Sequence, residues 1–129
     1  MRLLLDTRVF LWSATEPETL SASARNAIVD PANEVFVSAA VAWEISIKVA
    51  AGKLALPGDP AAWFPARLRA LAFDPLHISA EHALAAGALP DIHKDPFDRI
   101  MIAQAQIEGL TFVTRDPQNR KYKVRVLPA

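Results

Sequence analysis

Four acidic residues of this sequence stand where carboxylates commonly do chemistry. Asp6 and Asp116 follow short apolar runs that are typical of buried strands. Asp98 lies in the first turn of a predicted helix, and Glu44 lies among apolar neighbours in the middle of another. Ligands bind at the carboxyl ends of the strands in open α/β sheets, so these carboxylates converge if the strand ends share one edge. Converging carboxylates raise one another's pKa unless a cation lies among them, and oxygen ligands suit Mg²⁺ or Mn²⁺.

Each acid also has an ordinary structural explanation, which the sequence alone leaves open. Asp6 would serve as the N-cap of the helix that follows it. Asp98 would favour the dipole of its own helix, and Asp116 would serve as a turn residue. Glu44 would pair with Lys48 four residues later. Glu44 is the hardest to explain away, because its helix has little polar face.

Strand and helix patterns alternate along the chain, which predicts an α/β fold with a parallel sheet and helices on both faces. Strands are predicted at residues 3–5, 35–37 and 110–114, more weakly near 76–78, and as an edge strand at 123–127. Helices are predicted at residues 21–29, 39–51, 61–71, 80–88 and 96–108. The last helix has the clearest signals, with Asp95 as its cap, Pro96 at its first position and Gly109 after its end.

Composition excludes several classes of protein. A length of 129 residues fits one domain over residues 1–129, and 14 basic residues balance 14 acidic ones, so any basic surface must be local. The absence of cysteine excludes disulfides, zinc–thiolate sites and thiol nucleophiles, and is consistent with a reducing cytoplasm. No apolar run is long enough to span a membrane. The sequence has no nucleophile elbow or glycine-rich phosphate loop, and we expect His77, His82 and His93 to be structural or surface residues.

Several short blocks, taken in order along nearly the whole chain, resemble the PIN-domain ribonucleases, in particular the VapC-type toxins of bacterial toxin–antitoxin pairs. These blocks are residues 3–7 (LLLDT) with 9–12 (VFLW), 38–40 (SAA), 43–48 (WEISIK), 52–54 (GKL), 93–99 (HKDPFDR) with 102–105 (IAQA), and 114–116 (TRD). Two positions depart from the pattern: Arg8 stands where histidine is common, and residues 117–120 lack an aromatic residue. Both departures concern substrate contacts rather than the chemistry.

The resemblance implies a three-layer α/β/α PIN-like fold with a central, mostly parallel sheet, and hydrolysis of RNA with Mg²⁺ or Mn²⁺. The family's four acids fall on Asp6, Glu44, Asp98 and Asp116, and its threonine near the metal falls on Thr114. We expect Asp6 and Asp98 to be the principal metal ligands, with Asp116 ligating directly or through water. Glu44 is expected to orient or deprotonate the nucleophile.

The resemblance also implies partners: an RNA substrate, an inhibitory antitoxin and a second copy of the chain. The hydrophobic fraction of 52% is consistent with apolar surface that a partner covers. Trp12, Trp63 and Phe64 are candidate antitoxin contacts, although a core role is equally open for each. Candidate cations for guiding RNA are Lys48, Lys94, Arg99 and Arg115. A second basic group, Arg120, Lys121, Lys123 and Arg125, either binds RNA or protects an edge strand.

Three other functions fit parts of the sequence. A phosphatase-like hydrolase would use Asp6 as a covalent nucleophile, but such enzymes typically have a second aspartate where this chain has Arg8. A phosphoacceptor receiver domain typically needs paired acids after the first strand, where only Asp6 is present. A non-catalytic α/β binding module would use the acids only as caps.

Overall fold

A computed structural model describes all residues, 1–129, and its centre is a five-stranded sheet in which every neighbouring pair is parallel. The strands are β1 (Arg2–Leu5), β2 (Glu34–Ser38), β3 (Asp74–Leu76), β4 (Thr111–Thr114) and β5 (Val126–Pro128), in the spatial order β3-β2-β1-β4-β5. Leu5 at the end of β1 aligns with Val37 of β2 and Val113 of β4, so these three strands end at one edge of the sheet.

Six α-helices connect the strands, and each begins at a residue that the sequence marks as a cap. They are α1 (Thr7–Thr15), α2 (Ala22–Val29), α3 (Ala39–Ala50), α4 (Pro60–Leu71), α5 (Ala80–Ala88) and α6 (Pro96–Glu108). The side chain of the preceding Asp or Ser accepts a backbone N–H of the first turn in every case. No helix has both the length and the apolar character needed to cross a membrane.

The core lies on both faces of β1. Leu3, Leu4 and Leu5 point alternately to opposite faces, and all three are fully buried, so helices cover the sheet on both sides. The largest buried side chains around them include Phe10 and Phe112. The predicted three-layer α/β/α fold with a central parallel sheet is therefore confirmed.

Two strand boundaries differ from those predicted. The weak strand expected at residues 76–78 is β3, at Asp74–Leu76, and the edge strand expected at 123–127 is β5, at Val126–Pro128. At both edges of the sheet a strand has only one neighbour to fix its limits: β3 pairs with Phe36–Ser38 of β2, and β5 pairs with Phe112–Thr114 of β4. The alternation of residues 123–125 was therefore a misleading signal.

The aromatic residues suggested as partner contacts belong largely to the core. The rings of Trp63 and Phe64 lie 6.0 and 5.3 Å from that of Phe10, which is fully buried. The guanidinium carbon of Arg115, Cζ, lies over the ring of Trp12, 4.3 Å from the ring centre. These three residues therefore make their contacts within the chain. A different aromatic residue, Trp43, has a large exposed surface, with 64% of it accessible.

Candidate active site

A polar cleft of about 410 Å³ opens where the carboxyl ends of β1 and β4 meet the first turns of α1 and α6. All four acids that the sequence singled out line it, together with a fifth acid, Asp95. The other lining residues are Thr7, Arg8, Leu11, Lys48, Arg115 and Pro117. The topology of the sheet thus brings together carboxylates that lie up to 110 residues apart in the chain.

Asp6 serves both as a cap and as a lining residue of the cleft. Its Oδ1 accepts the backbone N–H of Val9 at 2.8 Å, and its side chain is almost fully buried. Burial raises the pKa of Asp6, because a charged carboxylate loses its hydration there, and the negative charge of Glu44 adds to the effect. Hydrogen bonds from Thr114 and Val9 oppose the increase in the pKa of Asp6.

The hydroxyl oxygen of Thr114 accepts two hydrogen bonds beside Asp6. Thr114 Oγ1 lies 3.1 Å from the backbone N–H of Asp116 and 3.0 Å from the side-chain amide of Asn119. Both of these groups are donors, so the hydroxyl hydrogen of Thr114 remains available for the Asp6 carboxylate. This buried network connects the end of β4 to the end of β1.

Asp98 occupies the first turn of α6, and its environment disfavours a negative charge. Burial raises the pKa of Asp98 to about 7, with further increases from the charges of Asp95, Asp6 and Asp116. Asp95 has a different position, because its Oδ1 caps the helix by accepting the N–H groups of Phe97 at 2.9 Å and Asp98 at 3.3 Å.

His93 lies between Asp98 and Asp116, where the sequence did not predict a histidine. Its Nε2 is 3.0 Å from Asp98 Oδ2 and 2.9 Å from Asp116 Oδ2. The structure therefore places His93 beside two of the predicted site acids, although the sequence predicted an ordinary structural or surface histidine. Its position five residues before Asp98, within the block that carries the family resemblance, was the one signal in the sequence.

Glu44 is buried on α3, and each of its two carboxylate oxygens has one partner. Its Oε1 accepts the hydroxyl of Thr7, and its Oε2 lies 2.7 Å from the ammonium of Lys48. The expected pair with Lys48 is therefore present, and it lies inside the cleft rather than on an open helix face. A buried carboxylate is tolerated when it is paired in this way.

The cleft has the chemistry of a divalent-metal site. Asp6, Asp98 and Asp116 offer carboxylate oxygens, which hard cations such as Mg²⁺ and Mn²⁺ prefer. Burial first, and neighbouring carboxylates second, raise the pKa values of Asp6 and Asp98, and a bound cation would oppose both effects. The carboxylate oxygens of Asp98 and Asp116 also lie within 4.8 Å of one another, beside the imidazole of His93.

The cations expected to guide RNA divide into two groups. Lys48 and Arg115 line the cleft, whereas Lys94 and Arg99 do not; Arg8, which was not among the expected cations, also lines it. Arg115 also donates to the carbonyls of Thr19 at 2.6 Å and Ala129 at 2.7 Å. Arg99, by contrast, donates to the carbonyl oxygens of Ala86, Leu89, Pro90 and His93. These hydrogen bonds engage the Arg99 guanidinium with the protein's own backbone, and its role in guiding RNA stays a prediction.

Residues 3–124 match the family model described as the PIN domain. The chain belongs to the PIN domain family. Among curated proteins, none matches this sequence. Membership in the PIN family supports a nuclease, and PIN nucleases generally use a divalent metal, for which the acidic cleft provides a candidate site.

Solved structures with the same fold include complexes of two proteins. VapBC2 from Rickettsia felis, bound to a DNA fragment from its promoter, is similar with a TM-score of 0.70 and 14% identity over 99% of this chain and 98% of that one. FitAcB from Neisseria gonorrhoeae is similar with a TM-score of 0.66 and 23% sequence identity, over 97% of this chain and 96% of that one. A toxin–antitoxin complex from Klebsiella pneumoniae is similar with a TM-score of 0.61 and 20% sequence identity, over 97% of this chain and 95% of that one. At these identities the likeness establishes the fold of the PIN domain alone.

Proposed function

We propose that this PIN domain is a ribonuclease that hydrolyses RNA phosphodiesters with Mg²⁺ or Mn²⁺, and that it acts as the toxin of a toxin–antitoxin pair. The observation that carries the proposal is the meeting of Asp6, Glu44, Asp98 and Asp116 in one polar cleft. Family membership supports a nuclease, and the oxygen-rich lining supports the metal.

Asp6, Asp98 and Asp116 are the proposed metal ligands. A divalent cation held by them would offset negative charge on the reacting phosphate and lower the pKa of a water molecule. Asp6 is suited to this work because the backbone N–H of Val9 fixes the orientation of its carboxylate. Asp98 is suited because its Oδ1 accepts no hydrogen bond within the protein and is free for a ligand.

Glu44 is the proposed base for the attacking water. Its carboxylate lines the cleft, and its contacts with Thr7 and Lys48 hold it in one orientation. A positioned carboxylate can take up a proton while the new phosphorus–oxygen bond forms. Arg8 and Lys48 at the same cleft offer positive charge to the phosphates on either side of the scissile bond.

Two observations support the proposed antitoxin partner and homodimer: the structural neighbours and the exposed apolar side chains. The structural neighbours include toxin–antitoxin and VapBC complexes, and apolar side chains of this chain remain exposed on α3. Trp43 is 64% exposed and Ile47 is 43% exposed, which is unusual for large apolar side chains on one helix. Light scattering of the purified chain at micromolar concentration distinguishes a dimer from a monomer.

Inducible expression in bacteria tests the proposed function. We expect the wild-type chain to arrest growth and the Asp6→Asn variant, expressed to the same level, not to do so. Purified protein then separates the nuclease from other hydrolases: it should cleave RNA and leave a chromogenic phosphomonoester intact. Phosphomonoester hydrolysis without RNA cleavage would favour a phosphatase, and neither activity would favour a binding module.

A further inference from the structure

His93 is the residue of the cleft region for which the proposed function gives no role. Its Nε2 meets one oxygen each of Asp98 and Asp116, yet the imidazole is not part of the cleft lining. It therefore contacts the two carboxylates from outside the cleft. Building on the proposed function, we propose that His93 is a positioning residue, which holds Asp98 and Asp116 in place for a divalent metal.

The neighbours of His93 select one form of its ring. Nε2 faces one oxygen of each carboxyl group, and it holds both of them only by donating its hydrogen to them. Nδ1 faces the backbone N–H of Asp95 at 3.4 Å, which is a donor, so this nitrogen presents its lone pair. Hydrogen on Nε2 and a lone pair on Nδ1 is the arrangement that matches all three neighbours.

The segment that carries His93 is held by long-range contacts on both sides of its peptide. Its backbone N–H donates to Tyr122 Oη at 2.7 Å, and its carbonyl accepts from Arg99 at 3.2 Å. The same guanidinium group donates to the carbonyls of Leu89 and Pro90, which precede His93 in the chain. These contacts fix the backbone from which the imidazole projects, as a positioning residue requires.

One shared N–H has a direct consequence for the two carboxylates. It engages Oδ2 of each acid and leaves Asp98 Oδ1 free for a ligand, while Asp116 Oδ1 accepts the N–H of Gln118 at 2.9 Å. Hydrogen bonds of this kind orient metal-ligating groups, and their loss typically weakens metal binding by about 10–100-fold. His93 thus reaches the metal through Asp98 and Asp116 rather than by coordination.

Calorimetric titration of the metal-free protein with Mn²⁺ tests the proposal. His93→Leu removes the donor and should weaken Mn²⁺ binding by about 10–100-fold. His93→Gln should recover part of the affinity, because its amide N–H can donate to a carboxylate. His77→Leu makes the same change at an exposed histidine outside the cleft lining and should bind Mn²⁺ like the wild type. In the metal-free wild type, ¹⁵N NMR should detect hydrogen on Nε2 of His93.

The outcomes separate this proposal from the proposed function. Wild-type affinity for Mn²⁺ in His93→Leu, or hydrogen on Nδ1 rather than Nε2, would overturn the positioning role alone. Tighter binding by His93→Leu would also overturn it, and would make the imidazole a competitor of the metal. Absence of Mn²⁺ binding by the wild type, or unchanged binding by Asp98→Asn, would instead refute the metal site on which both proposals rest.

Discussion

Two aspartates three residues apart, Asp95 and Asp98, have different partners although both line the cleft. Asp95 accepts two N–H groups at the start of α6, which is the work of a helix cap. Asp98 accepts from His93 and has a pKa of about 7, which reflects burial and the acids around it. At the scale of the residue, surroundings rather than residue type assign the chemical role.

Exchanging each aspartate for asparagine should separate these roles. Asp98→Asn should abolish RNA cleavage, while the melting temperature of the metal-free protein stays the same or rises, because repulsion among the acids is relieved. Asp95→Asn should keep both activity and stability, since asparagine caps nearly as well as aspartate. Asp95→Ala should cost about 0.5–2 kcal/mol of the free energy of unfolding. An inactive Asp95→Asn beside an active Asp98→Asn would contradict the assignment of the metal ligand.

The raised pKa of Asp98 also predicts how stability depends on pH. The pKa of Asp98 in the folded protein, about 7, lies above the ordinary aspartate value of 3.8, so the folded protein binds this proton more tightly than the unfolded chain does. Without metal, the contribution of Asp98 to stability therefore falls as pH rises from about 4 to about 7 and then stays constant. Asp98→Asn lacks this loss. Thermal melts in EDTA should show its advantage over the wild type growing across that range, and an equal difference at both ends would contradict the account.

At the scale of the helices and strands, the sequence predicted the features that depend on neighbouring residues or on general rules of sheet topology. The start of α6 was predictable because Asp95, Pro96 and the end at Gly109 act within one or two turns. The convergence of the four acids was predictable because strand ends share an edge in a parallel sheet. The role of His93 was not, because its placement depends on Tyr122, which lies 29 residues away in the chain.

Arg99 joins several elements of the fold, so its loss should lower the free energy of unfolding. Its guanidinium joins the end of α5, the segment before His93 and the start of α6 through hydrogen bonds to four carbonyls. Arg99→Met should lower the free energy of unfolding by about 1.5–3 kcal/mol, the range for hydrogen bonds to charged groups. Urea unfolding measures the change. Arg120→Met, at an exposed site, should change the free energy of unfolding little. An equally small effect of Arg99→Met would show that the hydrogen bonds from Arg99 to the carbonyls do not stabilise the fold.

At the scale of the whole molecule, balanced charge leaves no global field to attract RNA. The protein has 14 basic and 14 acidic residues, and the acidic cleft itself repels a phosphate chain. Attraction must then come from local groups of cations. One such group is exposed before β5 and comprises Arg120, Lys121, Lys123 and Arg125.

Reversing two charges of this group should weaken RNA binding without altering the chemical step. Lys121→Glu with Lys123→Glu should lower affinity and flatten its dependence on salt, because fewer phosphate contacts release counterions. Fluorescence anisotropy across a salt titration provides the measurement. Lys53→Glu with Arg69→Glu, exposed residues elsewhere, is the matched control. Affinity and salt slope equal to the wild type's would leave the basic group as protection for the edge strand.

The central claim is that the acidic cleft cleaves RNA by means of a divalent metal, and one assay tests it directly. Purified wild-type protein and Asp6→Asn are incubated with RNA in Mg²⁺, in Mn²⁺, in Zn²⁺ and in excess EDTA. The account predicts cleavage by the wild type in Mg²⁺ or Mn²⁺, little in Zn²⁺, none in EDTA, and none by Asp6→Asn under any condition. Full cleavage by the wild type in EDTA, or by Asp6→Asn in Mg²⁺, would contradict it.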